Sequence, residues 1–280
     1  MTGVATDLLD TPAMQRLRRI SQLGTVGLVY PSANHTRLEH SIGVYALARR
    51  ACEVLSIDGA ARDELVAAAL LHDVGHPPFS HNIEGLIHRE TGKLHDDVLD
   101  IVSGGRVGET LEAYGLSPQR IADLIRGEGR YGQVISGDLD VDRMDYLLRD
   151  AHHTGVAYGT IDHERLVRAL RFVDETLVFA AGNLQTAESL LLARALMNPT
   201  VYQHHVARIA RRMLWAATER LLHATAVTAA RLRRMDDVDL RARLRAESAA
   251  APMMARIDER RLFKRAIWAE WEAVPTSVRS

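Results

Sequence analysis

Residues 65–71, LVAAALL, are apolar without interruption, and the run ends on His72-Asp73. A helix built from these residues has no polar face, so other elements must enclose it. The chain is therefore committed to a core around this segment, with the His-Asp pair where that core opens. Asp58 is placed to cap the start of the helix and Gly75 to stop it, and Pro77-Pro78 forces a turn. Burying the imidazole and carboxylate without partners would cost roughly 2–7 kcal/mol for the polar transfer alone. A divalent cation offsets that cost. A second pair, His95-Asp96, lies in polar KLHDDV with no apolar helix before it.

The surrounding pattern is helical. Leu38, Ile42, Tyr45, Ala48, Cys52 and Leu55 recur at three- and four-residue steps, which predicts an amphipathic helix. Further helices are predicted over His81 to Glu90, near Gln119 to Ile125, and over Asp138 to Ala151, with Gly104 to Gly137 otherwise less regular. Asn198 as cap and Pro199 at the first helical position predict a long helix past Trp215 toward Ala230. The tail from Asp236 to Trp271 reads as helical and arginine-rich. LRFVDETLVFAAG predicts a small hairpin turning near Asp174-Glu175. The expected fold class is all-α, mainly helical with at most that small β-hairpin. Residues 1–230 are expected to form the main domain and 231–280 a helical C-terminal extension packed on it.

Composition narrows the function. Apolar content of 47% and charged content of 25% are those of an ordinary globular chain of 280 residues. No stretch approaches the length of a membrane span, and nothing at the start resembles a signal peptide, so a cytoplasmic protein is expected. Cys52 is the only cysteine, which excludes an internal disulfide. A net charge of −1 gives no global drive toward nucleic acid or an anionic membrane. Arginine supplies nearly all the positive charge, since only Lys93 and Lys264 occur. The 13 histidines gather mainly between His35 and His95.

Two segments offer partners for the dyad. His40 starts its own helix in HTRLEHS, and Asp142 belongs to GDLDVDRMDYLLRD. On a helix, Asp142, Tyr146, Arg149, Asp150 and His153 share one face, while Met144, Leu147, Leu148 and Ala151 take the other. So ordered a polar face suits a site wall. Two histidines and two carboxylates suit Fe, Mn, Co, Ni, Zn or Mg without choosing among them.

The order H…HD…D resembles the HD superfamily of metal-dependent phosphohydrolases. DTPAMQRLRRISQLG, YPSANHTRLEHSIGV, LLHDVGHPPFSH, DVDRMDYLLRDAHHTG and VYQHH narrow the resemblance to its deoxynucleoside triphosphate triphosphohydrolase branch, over roughly Asp10 to His205. Weaker likeness continues in RRLFKRAIW. The resemblance implies an HD phosphohydrolase domain over 1–230, with His40, His72, Asp73 and Asp142 as metal ligands. It implies His76, His81 and His95 beside the phosphates as catalytic groups, with Glu84 supporting His95 where the family usually has Asp. Arg37, Arg143 and Arg194 would contact phosphate. Tyr146 and Asp150 would hold the sugar 3′-hydroxyl, with Gln22 beside it, and Tyr202 would pack where a 2′-hydroxyl clashes.

The expected reaction is attack of water at the α-phosphorus of a deoxynucleoside triphosphate, giving deoxynucleoside and triphosphate, with His81 or His95 as general acid. The hairpin lacks the basic residues that relatives use for effector phosphates, and the sequence starts only a few residues before DLLDTP. A homodimer or small homo-oligomer, active without an effector, is therefore expected. Two alternatives stand beside this one. A different HD reaction, on nucleotide monophosphates or phosphodiesters, would use the same metal. A nucleotide- or nucleic-acid-binding protein with a vestigial site would use the arginine runs RIARRM and RLRRMDDVDLRARLR. Those runs read better as amphipathic helices, so nucleic acid is not expected as a main partner.

Overall fold

The apolar run forms the centre of the structure, a computed structural model that describes residues 3–265 and 273–274. The helix Gly59–Leu71 buries Leu65 through Leu71 completely, with Asp58 at its N-cap position. Its three consecutive alanines, Ala67 to Ala69, allow neighbours to approach closely. Against it pack Val4–Leu9, Arg37–Leu55 and Pro118–Ile125, and Val141–Thr154 packs on Arg37–Leu55 in turn. Each leucine buried here contributes about 1.5–3 kcal/mol. Sixteen α-helices and one two-stranded antiparallel hairpin make up the regular structure among the described residues, an all-α fold.

Local chemistry sets the helix ends. Arg37–Leu55 begins with a capping box, in which Glu39 reaches back to the Thr36 N–H at 2.5 Å. Leu38, Tyr45, Ala48 and Cys52 are buried as their spacing predicts, while Ile42 is exposed. His81–Thr91 matches its prediction to within a residue. Val141–Thr154 starts three residues later than expected, because the Asp140 carboxylate accepts from the Arg143 N–H at 2.7 Å and caps the helix there. The hairpin pairs Leu170–Val173 with Thr176–Phe179 and turns at Asp174-Glu175.

Four expectations need correction. Asn198-Pro199 does not start a helix: Leu184–Met197 runs straight into a π-helical turn, Asn198–Tyr202, and the next helix, His205–Ala224, starts after it. The wide turn absorbs Pro199, which has no N–H to give. That next helix stops at Ala224 rather than near Ala230, and Thr228 caps a separate short helix, Ala229–Arg233. Gly105–Ala113 is a helix that the glycine content hid. The dyad helix ends at Leu71 rather than Gly75, leaving 72–75 as a turn.

A second apolar cluster joins His81–Thr91 and His205–Ala224 to the tail. Ile83, Ile87, Leu214, Leu232, Leu240 and Met254 are among its buried members. The tail forms Asp237–Ala246 and Ala251–Asp258; Trp268 and Trp271 lie outside the described residues. No helix among the described residues is long and apolar enough to cross a membrane.

Candidate active site

Three helices bring the dyad its partners. His40 comes from the first turn of Arg37–Leu55, His72-Asp73 from the end of Gly59–Leu71, and Asp142 from the first turn of Val141–Thr154. His40 Nε2 lies 3.2 Å from His72 Nε2 and 2.8 Å from Asp142 Oδ1, and His72 Nε2 lies 3.3 Å from Asp73 Oδ1. The outer nitrogens fix the tautomers. His72 Nδ1 faces the Ala69 carbonyl at 2.8 Å and His40 Nδ1 faces Asp145 Oδ2 at 2.8 Å, so both Nδ1–H groups donate outward. The Nε2 atoms of His40 and His72 and the Asp73 carboxylate then converge, with Asp142 Oδ1 beside both rings. Burial opposes a charge on His40, yet its hydrogen bonds to Asp142 and Asp145 raise it to about 10. The carboxylates thus call for positive charge at this point, and His40, His72 and Asp73 lie close enough together to hold a divalent cation.

Asp73 stays ionised. Burial pushes its pKa up, but the adjacent Arg37 guanidinium, followed by His72 and His76, holds it well below the usual carboxylate range. Arg37 is itself buried and fixed, donating to Asp73 Oδ2 at 2.8 Å and to Ser80 Oγ at 2.6 Å.

A row of histidines continues from the metal donors. His76 Nε2 is 3.3 Å from Asp73 Oδ1, and the His76 ring stacks on His95 at 4.3 Å. Glu84 sits behind the row, with Oε1 2.5 Å from His95 Nδ1 and Oε2 2.7 Å from His81 Nδ1. The environments separate two of these groups. Burial, then the charges of Arg37 and His95, hold His76 well below the ordinary imidazole range, so it is neutral. Burial opposes charge on His95 too, but the bond to Glu84 wins and raises its pKa. A neutral imidazole beside one whose proton is held more tightly is an acid–base division of labour. Gly75 makes the row compact: a Cβ there would stand 1.9 Å from the His95 carbonyl oxygen.

The metal donors and the histidine row open on a cavity of about 770 Å³. Gln22, Arg37, Tyr146, Asp150, Arg194 and Tyr202 line it as well. Asp150 is buried, with one oxygen 2.7 Å from His35 Nε2 and the other accepting from Tyr202 Oη–H at 2.9 Å. Tyr202 meets Tyr146 edge-on at 6.2 Å. The buried Gln22 Oε1 has no hydrogen-bond partner among the described residues.

Residues 37–150 match the HD domain family, and residues 161–280 match the HD associated region. The chain belongs to the HD family of metal-dependent phosphohydrolases. It is 40% identical over 270 residues to an uncharacterized protein of Methanocaldococcus jannaschii, covering 93% of this chain and 55% of the relative. It is 30% identical over 248 residues to human deoxynucleoside triphosphate triphosphohydrolase SAMHD1, covering 72% of this chain and 40% of that protein. Among solved structures, a phosphohydrolase from Bacteroides thetaiotaomicron superimposes with a TM-score of 0.81 at 27% identity, covering 97% of this chain and 77% of the other. The chain spans about half the length of the curated relatives it matches.

For this HD enzyme, the structure brings fourteen of the fifteen sequence-predicted site residues to the cavity or, for Glu84, directly behind it. Arg143 is the exception. Its guanidinium bonds to the Gly137 carbonyl and lies 3.6 Å from Asp140 Oδ2, so it braces the helix start instead of facing the cavity. Arg149 and His153, expected on the polar face with Asp142, also turn away. Arg149 pairs with Asp145 at 2.8 Å, and His153 stacks on His35.

Asp145, His35 and Ser80 were missed. Each is a polar side chain that supports a predicted one, and spacing alone cannot find such partners. Gly43 was a usable signal for Asp145: a Cβ there would stand 1.9 Å from Asp145 Oδ1. Glycine in that helix is what lets the carboxylate reach His40.

Proposed function

We propose that this HD phosphohydrolase hydrolyses deoxynucleoside triphosphates to deoxynucleoside and triphosphate. One observation carries the proposal: a single cavity joins the metal donors and histidine row to the interlocked Asp150 and Tyr202. The first part suits a phosphate chain beside a cation. The second offers hydrogen-bond partners and a fixed aromatic edge for a sugar. The likeness to a deoxynucleoside triphosphate triphosphohydrolase supports the same substrate class.

In this proposal His40, His72, Asp73 and Asp142 hold the cation, which when bound lowers the pKa of water and polarises a phosphoryl oxygen. The new bond joins water oxygen to the α-phosphorus, and the bond to the nucleoside 5′-oxygen breaks. His95, its pKa raised by Glu84, gives its proton to that leaving oxygen. Arg37 presents fixed positive charge to the phosphoryl oxygens, and neutral His76, whose N–H faces Asp73, stands beside them. His81, the more exposed of the row, faces the outer phosphates. Asp150 and Tyr146 hold the 3′-hydroxyl with Gln22 beside them, and Arg194 reaches the phosphate chain from Leu184–Met197. Tyr202, anchored by Asp150 and Tyr146, closes the 2′ side.

Ion-exchange analysis of products tests this. Each dNTP and rNTP is incubated with Mn or Mg. Intact triphosphate and deoxynucleoside from dATP, with ATP turned over at least about 10-fold more slowly, is the expected result. Orthophosphate, or hydrolysis only of monophosphates and phosphodiesters, would assign the site to another HD reaction.

The working form proposed is a cytoplasmic homodimer or small homo-oligomer. Light scattering is expected to give a constant oligomer mass with and without dNTP, and dNTP-driven assembly would overturn that.

A further inference from the structure

Residues between Arg233 and Asp237, in the HD associated region, tie down the backbone of two loops that carry site groups, 72–80 and 94–97. Arg233, in the arginine run read from the sequence as an amphipathic helix, is only 3% exposed. Its guanidinium donates to the Leu94 carbonyl at 3.1 Å and the Asp97 carbonyl at 2.6 Å, which brackets His95. Two residues on, the Met235 carbonyl accepts from Arg16 Nη1 at 2.8 Å, while Arg16 Nη2 donates to the Val74 carbonyl at 2.6 Å, next to Asp73. Asp236 pairs with Arg19. Asp237 then accepts from the Phe79 N–H at 2.6 Å and the Ser21 N–H at 3.0 Å, one on each carboxylate oxygen.

The last contact bears on the most strained backbone near the site. Phe79 and Ser80 both have φ of 56°, in the left-handed region that costs non-glycine residues of order 1–3 kcal/mol each. Such a conformation persists only where its surroundings fix it. Here Asp237 takes the Phe79 N–H, and Arg241 lies over the Phe79 ring at 5.3 Å. Ser80 Oγ donates to the Ser21 carbonyl at 2.7 Å and accepts from Arg37 Nε, and Arg37 holds Asp73. Hydrogen bonds joined by the short backbone of Ser21 and of Phe79-Ser80 therefore connect Asp237 to Asp73. Burial raises Asp237 to about 6, against the pull of the two N–H groups, so at neutral pH it is ionised and accepts from both.

We infer that Asp237 and Arg233 are positioning residues: Asp237 sets Arg37 against Asp73 through the Phe79-Ser80 turn, and Arg233 sets His95 through the Leu94–Asp97 loop. Neither touches the cavity. Their effect is to hold catalytic groups to within a fraction of an ångström, where displacements of about 1 Å cost on the order of 100-fold in rate. The inference rests on the phosphohydrolase chemistry of the family and is independent of which nucleotide is the substrate.

Asp237→Asn and Arg233→Met test it in the full chain. The asparagine keeps the shape but loses one acceptor, and the methionine keeps the stem but loses the fork. Expected for both are unchanged metal content, a kcat lower by about 10-fold and a KM within about twofold. Amide exchange is expected to quicken locally, at Ser21 and Phe79 in Asp237→Asn and over residues 94–97 in Arg233→Met, with Arg233→Lys intermediate. Exchange is read without any substrate, so it stands even if the nucleotide is misassigned. Folded, metal-loaded variants with wild-type kcat would overturn the inference. So would exchange that rises evenly along the chain, because that marks general destabilisation. Should Arg233→Met fail to fold, Asp237→Asn decides alone.

Discussion

Asp73→Ala is expected to abolish divalent-metal binding and to lower turnover by about 10³-fold or more, the upper range for removing one preorganised charge-stabilising group. Asp73 has two roles in the geometry. One oxygen faces His72 and His76 at 3.3 Å each, and the other accepts from Arg37 at 2.8 Å. Removing it takes away a donor to the cation and the partner of a buried guanidinium. Unpairing that buried charge also costs about 3–5 kcal/mol of stability, so the alanine variant is expected to melt earlier. Asp73→Asn keeps the shape and part of the hydrogen bonding, and separates loss of the charge from loss of the fold. Elemental analysis for metal, product chromatography and thermal melting make the check. Wild-type metal stoichiometry with full turnover in either variant would remove this site from the mechanism.

Glu84→Gln is expected to move the alkaline limb of the kcat–pH profile to lower pH. His95 owes its raised pKa to the hydrogen bond and charge of Glu84, which overcome burial. The leaving oxygen needs the protonated imidazole, so activity persists through the ordinary histidine range and is lost as pH rises through the raised value. An amide at position 84 keeps a hydrogen bond but no charge, and burial then carries His95 toward or below about 6.5. Between the new limb and the wild-type limb the loss is expected to approach that of removing a general acid, about 100-fold. Below the new limb much of the rate returns, which a purely structural defect would not produce. Glu84→Asp preserves the carboxylate and is expected to keep the limb near its wild-type place. His95→Gln is expected to lose the limb altogether. An unchanged profile in Glu84→Gln would exclude His95 as the acid.

Much of the fold and of the site was legible in the residues, for identifiable reasons. LVAAALL can only be a buried segment, and a polar dyad at its end has to be neutralised, so the central helix and its metal donors follow from transfer energies. The capping chemistry of Thr36 and Glu39, and the turn signal at Asp174-Glu175, act over three or four residues and are read locally. Asp142, Tyr146 and Asp150 face one way because a helix repeats every 3.6 residues. The motif order carried the family and, with it, residues such as Tyr202 and His95 that no spacing rule joins to the dyad.

What the sequence determined by itself was therefore the local and periodic part: which segments are helical, which face of each is apolar, and which polar side chains are candidates for the site. Only the tertiary structure decided where those faces meet. Arg143 and Asp145 stand two residues apart on the same helix, yet Arg143 folds back on Gly137 while Asp145 reaches His40, through the space that Gly43 leaves open. His35 is buried against Asp150, and Arg233 is buried against the His95 loop, because distant segments supply their partners. Asn198-Pro199, a sound helix start by local rules, became a π-helical turn once Leu184–Met197 was packed before it. The physical reason is the same in each case. Capping and periodicity are short-range energies, whereas the partner of a buried charge is whatever the packing of other helices brings within about 3 Å.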